Sequence, residues 1–140
     1  MKTKEVIVAL ILSLALVASA HARSAVPLIE PARVQLAAAG ANENADAVKN
    51  AIVAGGAERG WVLISSDPGK LRLKYNKQGK HEVVVDVTYD ATGYQLKYVS
   101  SMNMKYENDA DGPMIHPFYN KWINNLMFSI GKVSVKTPAQ

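Results

Sequence analysis

Between residues 61 and 100 apolar and polar side chains exchange places at almost every step. In "KLRLKYN" (70–76), Leu71, Leu73 and Tyr75 fall on one side, and Lys70, Arg72 and Lys74 on the other. In "HEVVVDVTY" (81–89), Val83, Val85, Val87 and Tyr89 share a side, opposite Glu82, Asp86 and Thr88. "YQLKYVS" (94–100) repeats the pattern with Tyr94, Leu96 and Tyr98, and the same phase extends to Met102, Met104 and Tyr106. "WVLIS" (61–65) is a shorter apolar run before the turn "SDPGK". A period of two with one apolar side predicts an antiparallel sheet buried on a single face.

The charges supply a register. With "KQG" as a three-residue hairpin loop, Lys74 faces Glu82 and Lys70 faces Asp86. With "DATG" as a four-residue loop, Tyr89 faces Tyr94 and Asp86 faces Lys97. Each exposed pair adds only about 0.2–1 kcal/mol. Their agreement across both hairpins nevertheless favours a meander over any less regular arrangement.

On either side of the alternation the period changes to that of a helix. Ala45, Val48 and Ile52 define a narrow apolar stripe, with Asn42 or Asn44 as its cap and Gly60 as its stop. This predicts a helix over about 44–59. Further on, Tyr119, Ile123, Leu126 and Ile130 recur at helical spacing, with Trp122 on the same side and Asn120, Lys121, Asn124 and Asn125 opposite. Pro117 suits a first turn, and Gly131 is the expected end, with "KVSVK" trailing away. "ENDADGPM" (107–114) has acids at 107, 109 and 111 but lacks the later bidentate glutamate of an EF-hand loop, so it reads as a solvated turn.

The expected fold class is therefore α+β, in the order α-β-β-β-β-α. It is a two-layer sandwich: a four-stranded antiparallel meander with an N-terminal and a C-terminal helix on one face. The single domain occupies 42–135, with a tail at 136–140. Residues 23–41, with two prolines and an alanine run, form an extended leader in which "RVQL" has the makings of a short edge strand.

The first 22 residues change the picture of where the chain works. A basic start, an apolar run from Val6 to Val17 and small residues at Ala18, Ala20 and Ala22 follow the grammar of a signal peptide. Cleavage is expected after Ala20 or Ala22. It leaves about 118 residues, enough for one packed domain. The sequence contains no cysteine, so disulfides and a lipidated N-terminal cysteine are excluded. An exported chain that relies on packing alone fits a bacterial periplasmic or secreted protein. The formal net charge of +4 drops to +3 without Lys2, Lys4 and Glu5, and the bases are scattered among acids, so no nucleic-acid footprint is present.

Catalytic signatures are missing: there is no G-x-S-x-G, no H-E-x-x-H and no phosphate loop. His81 opens a strand and His116 precedes Pro117, where a neutral imidazole suits a helix cap. Met102, Met104, Met114 and His116 fall within fifteen residues. Thioethers with imidazole suit Cu(I), and two methionines on one strand face would stand about 7 Å apart. Core filling is the plainer role for methionine. Phe128 projects among polar residues and is expected to fold under the C-terminal tail, the alternative being an exposed contact with Phe118, which leans towards the same edge.

The combination of Gly60-Trp61, Pro68-Gly69-Lys70, Tyr94, Tyr98 and Ser101, with Ile115-His116, Tyr119-Asn120, Trp122 and Asn125-Leu126 as "IHxxYNxWxxNL", resembles a family of small exported proteins and lipoproteins of proteobacteria whose function is not established. The likeness spans about 44–126. It implies the same α-β-β-β-β-α domain and an envelope location, and brings no catalytic residues. The chain departs from the family in lacking the lipid-attachment cysteine and in carrying Gly131 where the last helix usually continues. Together these features lead to the expectation of a non-enzymatic envelope protein without a cofactor. Its partner is expected to be an envelope protein or cell-wall component, met by His116, Phe118, Asn120 and Phe128. The alternative is periplasmic Cu(I) binding by Met102, Met104, Met114 and His116.

Overall fold

The computed structural model describes residues 24–36 and 44–136. The expected signal peptide, the end of the leader and the tail at 137–140 lie outside the described residues. Four strands follow one another as antiparallel neighbours: β3 (Trp61–Asp67), β4 (Lys70–Lys77), β5 (His81–Tyr89) and β6 (Gly93–Met102). Two two-residue strands precede them, β1 (Val26–Pro27) and β2 (Val34–Gln35), and a hairpin follows, β7 (Glu107–Asp109) and β8 (Gly112–Ile115). The helices are α1 (Ala45–Glu58) and α2 (Phe118–Lys136). The α+β class therefore holds. The sheet has five strands, in the order β2-β6-β5-β4-β3, and a second sheet has the order β1-β8-β7. The expected four-stranded sheet thus gains an edge strand from the leader, and "ENDADGPM" is a hairpin instead of a solvated turn.

One core joins the sheet to both helices. It includes Leu71, Leu73, Val83, Val85, Val87, Tyr94 and Leu96 from the alternating side of the strands. Ile52 from α1 and Tyr119, Ile123, Leu126 and Ile130 from α2 close over them. The helices cross at Gly55, where an added Cβ would lie 2.6 Å from the Ile130 Cα and backbone nitrogen. Only a glycine permits that approach. Asn44 caps α1 by accepting the Asp46 N–H at 2.8 Å, and Gly60, at a φ of +82°, lets the chain leave α1 for β3.

The hairpin registers separate into one that matches and one that slips. Tyr89 pairs with Tyr94 and Asp86 with Lys97, as the charge pattern predicts. In the first hairpin Lys77 pairs with His81, so Arg72 faces Asp86 and Asn76 faces Glu82. This is a slip of two residues, which keeps every side chain on its face. The turn chemistry decides it: Gln78 and Gly79 both take positive φ, and the Asn76 side chain accepts the Gly79 N–H at 2.7 Å. Lys70 and Lys74 still reach Asp86 and Glu82 diagonally, at 3.4 and 3.9 Å. Arg72 grips Asp86 with two hydrogen bonds of 2.7 and 3.0 Å. The hydrogen bonds from Arg72 are the chief cause holding the Asp86 carboxyl below its ordinary pKa.

A register shift in β6 has larger consequences. Val85 pairs with Tyr98 but Val84 pairs with Ser100, so Val99 is an extra residue. Beyond it the faces exchange. Ser101 pairs with the core residue Val83, and Met102 turns outwards with 52% exposure. The phase expected to run through Met102, Met104 and Tyr106 is therefore broken.

Two features extend past the sequence expectation. Gly131 does not end α2, which continues to Lys136 while Ile130 stays buried and the Ser134 hydroxyl donates to the Ile130 carbonyl at 2.7 Å. The leader straps the two sheets together. Val26 pairs with Ile115 and Val34 with Tyr94, and Asn120 accepts the Ile29 N–H and donates to the Pro27 carbonyl, both at 3.0 Å. At the other end Asp90 accepts from Arg33 at 2.6 Å and from the Thr92 N–H at 2.8 Å. The Thr92 N–H and the Arg33 guanidinium, in that order, hold the Asp90 carboxyl down to about 2. No helix among the described residues is long and apolar enough to cross a membrane.

Two glycines of similar sequence context should respond oppositely. Gly55→Ala forces backbone apart and should cost about 2 kcal/mol in chemical denaturation. Gly131→Ala, with nothing within 4 Å of the new methyl, should add about 0.5–1 kcal/mol.

Acid should release the strap. The Asp90 carboxyl titrates near 2 when folded, against about 4 in an open chain, so its contribution is complete above pH 4 and disappears as pH falls through 2. The Leu36 amide, bonded to the Thr92 carbonyl at 2.9 Å, should lose hydrogen-exchange protection over that window. In Asp90→Asn its protection should be low at both ends of it.

Candidate functional site

The helix crossing brings the first turns of α2 over the β3–β4 end of the sheet. Positions 118, 122, 125 and 129 recur at helical spacing along one side of α2. They face the C-terminal end of α1 and the cross-strand pair Trp61 and Tyr75. Between them lies an open groove of about 500 Å³. Its floor is aromatic: Trp61, Tyr75, Trp122 and Phe118. Its rim carries Arg59, Lys77, Lys121, Glu58 and Asn125.

The rings touch in sequence. Trp61 and Tyr75 have centroids 5.4 Å apart and tilted by 32°, Tyr75 meets Trp122 edge-on at 4.9 Å, and Trp122 meets Phe118 at 5.7 Å. The series continues outside the groove through His116, 4.5 Å from Phe118, to His81, a further 6.0 Å on. Trp61 is buried, while Tyr75, Trp122 and Phe118 are partly buried against the core and keep only part of each ring accessible. Such contacts each add about 0.5–1.5 kcal/mol beyond burial, so the platform is held in place by its own packing.

The rim is net basic. Glu58 is engaged by Lys132 at 3.1 Å. The Arg59 Nε donates to the buried Ser129 hydroxyl at 2.6 Å, which fixes the guanidinium at the groove wall. No acidic partner among the described residues engages Arg59, Lys77 or Lys121. The groove is thus hydrophobic below and cationic above.

The residues proposed from sequence disperse. Phe118 lies in the groove. His116 stands at the mouth of α2, where its Nδ1 accepts the Phe118 N–H at 3.1 Å and its carbonyl accepts the Tyr119 N–H at 3.0 Å. The oxygen and the nitrogen of the Asn120 side-chain amide are both engaged by the leader. Phe128 is 66% exposed, on the side of α2 away from the core, and lies ten residues from Phe118, about 15 Å along the axis. The two phenylalanines cannot form one contact, and residues 132–136 continue the helix instead of folding over Phe128, which corrects both expectations for it.

The soft-metal set is dispersed in the same way. Met102 is exposed because the extra residue Val99 turns it outwards, and Met104 is 1% exposed because β6 ends at Met102 and Asn103, at a φ of +56°, redirects the chain. His116 uses Nδ1 as an acceptor, so its neutral ring carries a proton on Nε2. Coordination at either nitrogen would disturb that cap. Among the described residues no three histidine or acidic side chains gather as metal ligands. In the 107–114 hairpin, the Asp109 carboxylate accepts the Asp111 N–H at 2.9 Å.

Tyr75 and Trp122 are site residues that the sequence assigned to the core alone, and Trp61 is one that it placed only in a strand. Trp122 sits at the border of the apolar arc, between the buried side and Asn125. Tyr75 is the last inward residue of β4 before the turn. An aromatic at the margin of an amphipathic face, beside lysine, is the signal available in such a case. Neither protein-family profiles, nor characterised proteins, nor solved structures gave a match to this chain. The geometry alone therefore carries the functional reading: an α+β domain presenting one aromatic groove with a cationic rim.

Replacing the cap should loosen the groove wall. His116→Ala removes the acceptor of the Phe118 N–H and should cost about 1 kcal/mol in denaturation. His116→Asn, whose amide oxygen can accept the same N–H, should recover most of it.

Proposed function

We propose that this protein is a non-enzymatic binding module of the bacterial envelope and that the groove is its contact surface. The observation that carries the reading is the partly accessible series of rings Tyr75, Trp122 and Phe118 beneath a basic rim. Large rings left accessible in a concave site, with a few polar groups around them, are how binding sites are built. Their exposure has a solvation cost that a purely structural domain would avoid by closing the groove. The signal-peptide grammar at the start of the chain supports an envelope setting, in which the partner is an envelope protein or a cell-wall component. Of the surface expected from sequence, Phe118 remains in this reading. The contact area shifts from Asn120 and Phe128 towards Trp122, Tyr75 and the lysines.

The test compares exported wild-type protein with Phe118→Ala, Trp122→Phe and Phe128→Ala in retention on isolated envelope material. Retention should fall for Phe118→Ala and Trp122→Phe, both folded by circular dichroism, and be unchanged for Phe128→Ala. Equal retention of all four proteins would remove the groove as the contact surface.

A further inference from the structure

The groove's shape and charge narrow the chemistry of what it holds. Adjacent rings of the floor are already in contact, at 4.9–5.7 Å between centroids, so there is no slot in which a flat ring would be sandwiched on both faces. Tyr75 and Trp122 meet at 68° and share no plane, so an occupant must lie on a single ring face. A pyranose ring does this naturally: one side presents axial C–H groups to an aromatic face, and its equatorial hydroxyls point sideways. In this groove those hydroxyls would meet the Asn125 amide and the Arg59 guanidinium, which offer donors at the wall.

The rim then selects by charge. An aromatic floor by itself also attracts cations. Arg59, Lys77 and Lys121 oppose that, and the one acid, Glu58, is engaged by Lys132. The favoured occupant carries negative charge beside its apolar face. Lysines at the edge contribute modest, salt-sensitive attraction, while the rings supply the contact area.

We infer that the groove binds a carboxylate-bearing sugar chain of the bacterial cell wall, with a sugar ring lying on Trp122, whose plane is tilted 31° from that of Phe118, and its carboxylates facing Lys77 and Lys121. This deepens the envelope-binding reading and rests on it. The wall is the sugar polymer that an exported chain meets, and its acid-bearing peptide stems supply the carboxylates.

Both tryptophans of the sequence line the groove, so intrinsic fluorescence reads this site directly. The exported protein is titrated with soluble disaccharide-peptide fragments of the wall, with the same fragments after amidation of their carboxyls, with neutral chitin oligosaccharide and with a polyuronate oligosaccharide. The native fragments should shift tryptophan emission saturably. Amidation should weaken binding roughly tenfold, and so should the surface double variant Lys77→Gln/Lys121→Gln, whose thermal stability should be unchanged. Added salt should weaken the native fragments and leave neutral sugar unaffected.

Equal binding of amidated and native fragments would overturn the carboxylate assignment. Tighter binding of the polyuronate would overturn the wall as the source. No emission change with any sugar would overturn the inference altogether. In that last case, envelope retention that still depends on Phe118 and Trp122 would preserve the binding-module reading with a different occupant, and loss of both results would remove the two together.

Discussion

The backbone contact of Gly55 with Ile130 sets the geometry on which the rest depends. Without a Cβ at that point α1 and α2 lie close enough for Leu126 and Ile130 to reach the same core as Ile52. The neighbouring Gly56 imposes no such constraint, since an added Cβ there would meet Trp61, Leu73 and Leu126 in ordinary contact at 3.4–3.8 Å. Gly55 thus fixes the level at which α2 crosses the sheet. That level places Phe118 and Trp122 beside Trp61 and Tyr75. The groove is the space left where the helix rises from the end of β3 and β4, and its aromatic floor is the exposed margin of the core.

Around this centre the chain is tied down by polar contacts of long sequence separation. The leader is too short in strands to hold itself, yet Asn120, Arg33 and Asp90 anchor it at both ends. It covers an edge of the large sheet at β6 and completes the small sheet at β8. Gly93 allows the first of these, because an added Cβ there would collide with the Val34 carbonyl. The opposite edge, β3, has its own register shift between Leu63 and Ser65 and exposes Ile64. An irregular edge of this kind discourages pairing with another strand. The surface with a built concavity is thus at the end of the sheet, under α2, and not along its edge.

The alternating residues of 61–98 were legible because burial on one face leaves a period-two trace in each strand. The helices were legible for the same reason at their own period, and the Asn44 cap, the Gly60 stop and the Pro117 start agree with their local chemistry. The errors have distinct physical causes. The first hairpin slips by two because Gln78 and Gly79 accept positive φ, which leaves the faces intact and so has no trace in the hydropathy pattern. The extra residue at Val99 shows no glycine or proline, and it alone separates Met102 from the core. The 107–115 hairpin carries almost no apolar alternation and is completed by a leader strand some ninety residues away in sequence. Gly131 is helical because tertiary packing of Ile130 outweighs the roughly 1 kcal/mol intrinsic cost of glycine.

The sequence by itself determined which side chains face inwards in β4, β5 and β6 as far as Tyr98, the order of the main elements and the absence of recognisable catalytic motifs. Those properties are encoded in neighbours within a few residues, where periodicity and caps act. Only the tertiary structure decided that Trp61, Tyr75, Phe118 and Trp122 meet as one platform, that Asn120 fastens the leader and that Phe128 stands apart. An aromatic side chain has the same local signature whether it is sealed in a core or left at its margin. The difference is set by how closely two distant helices approach, and that distance is written only in the packed fold.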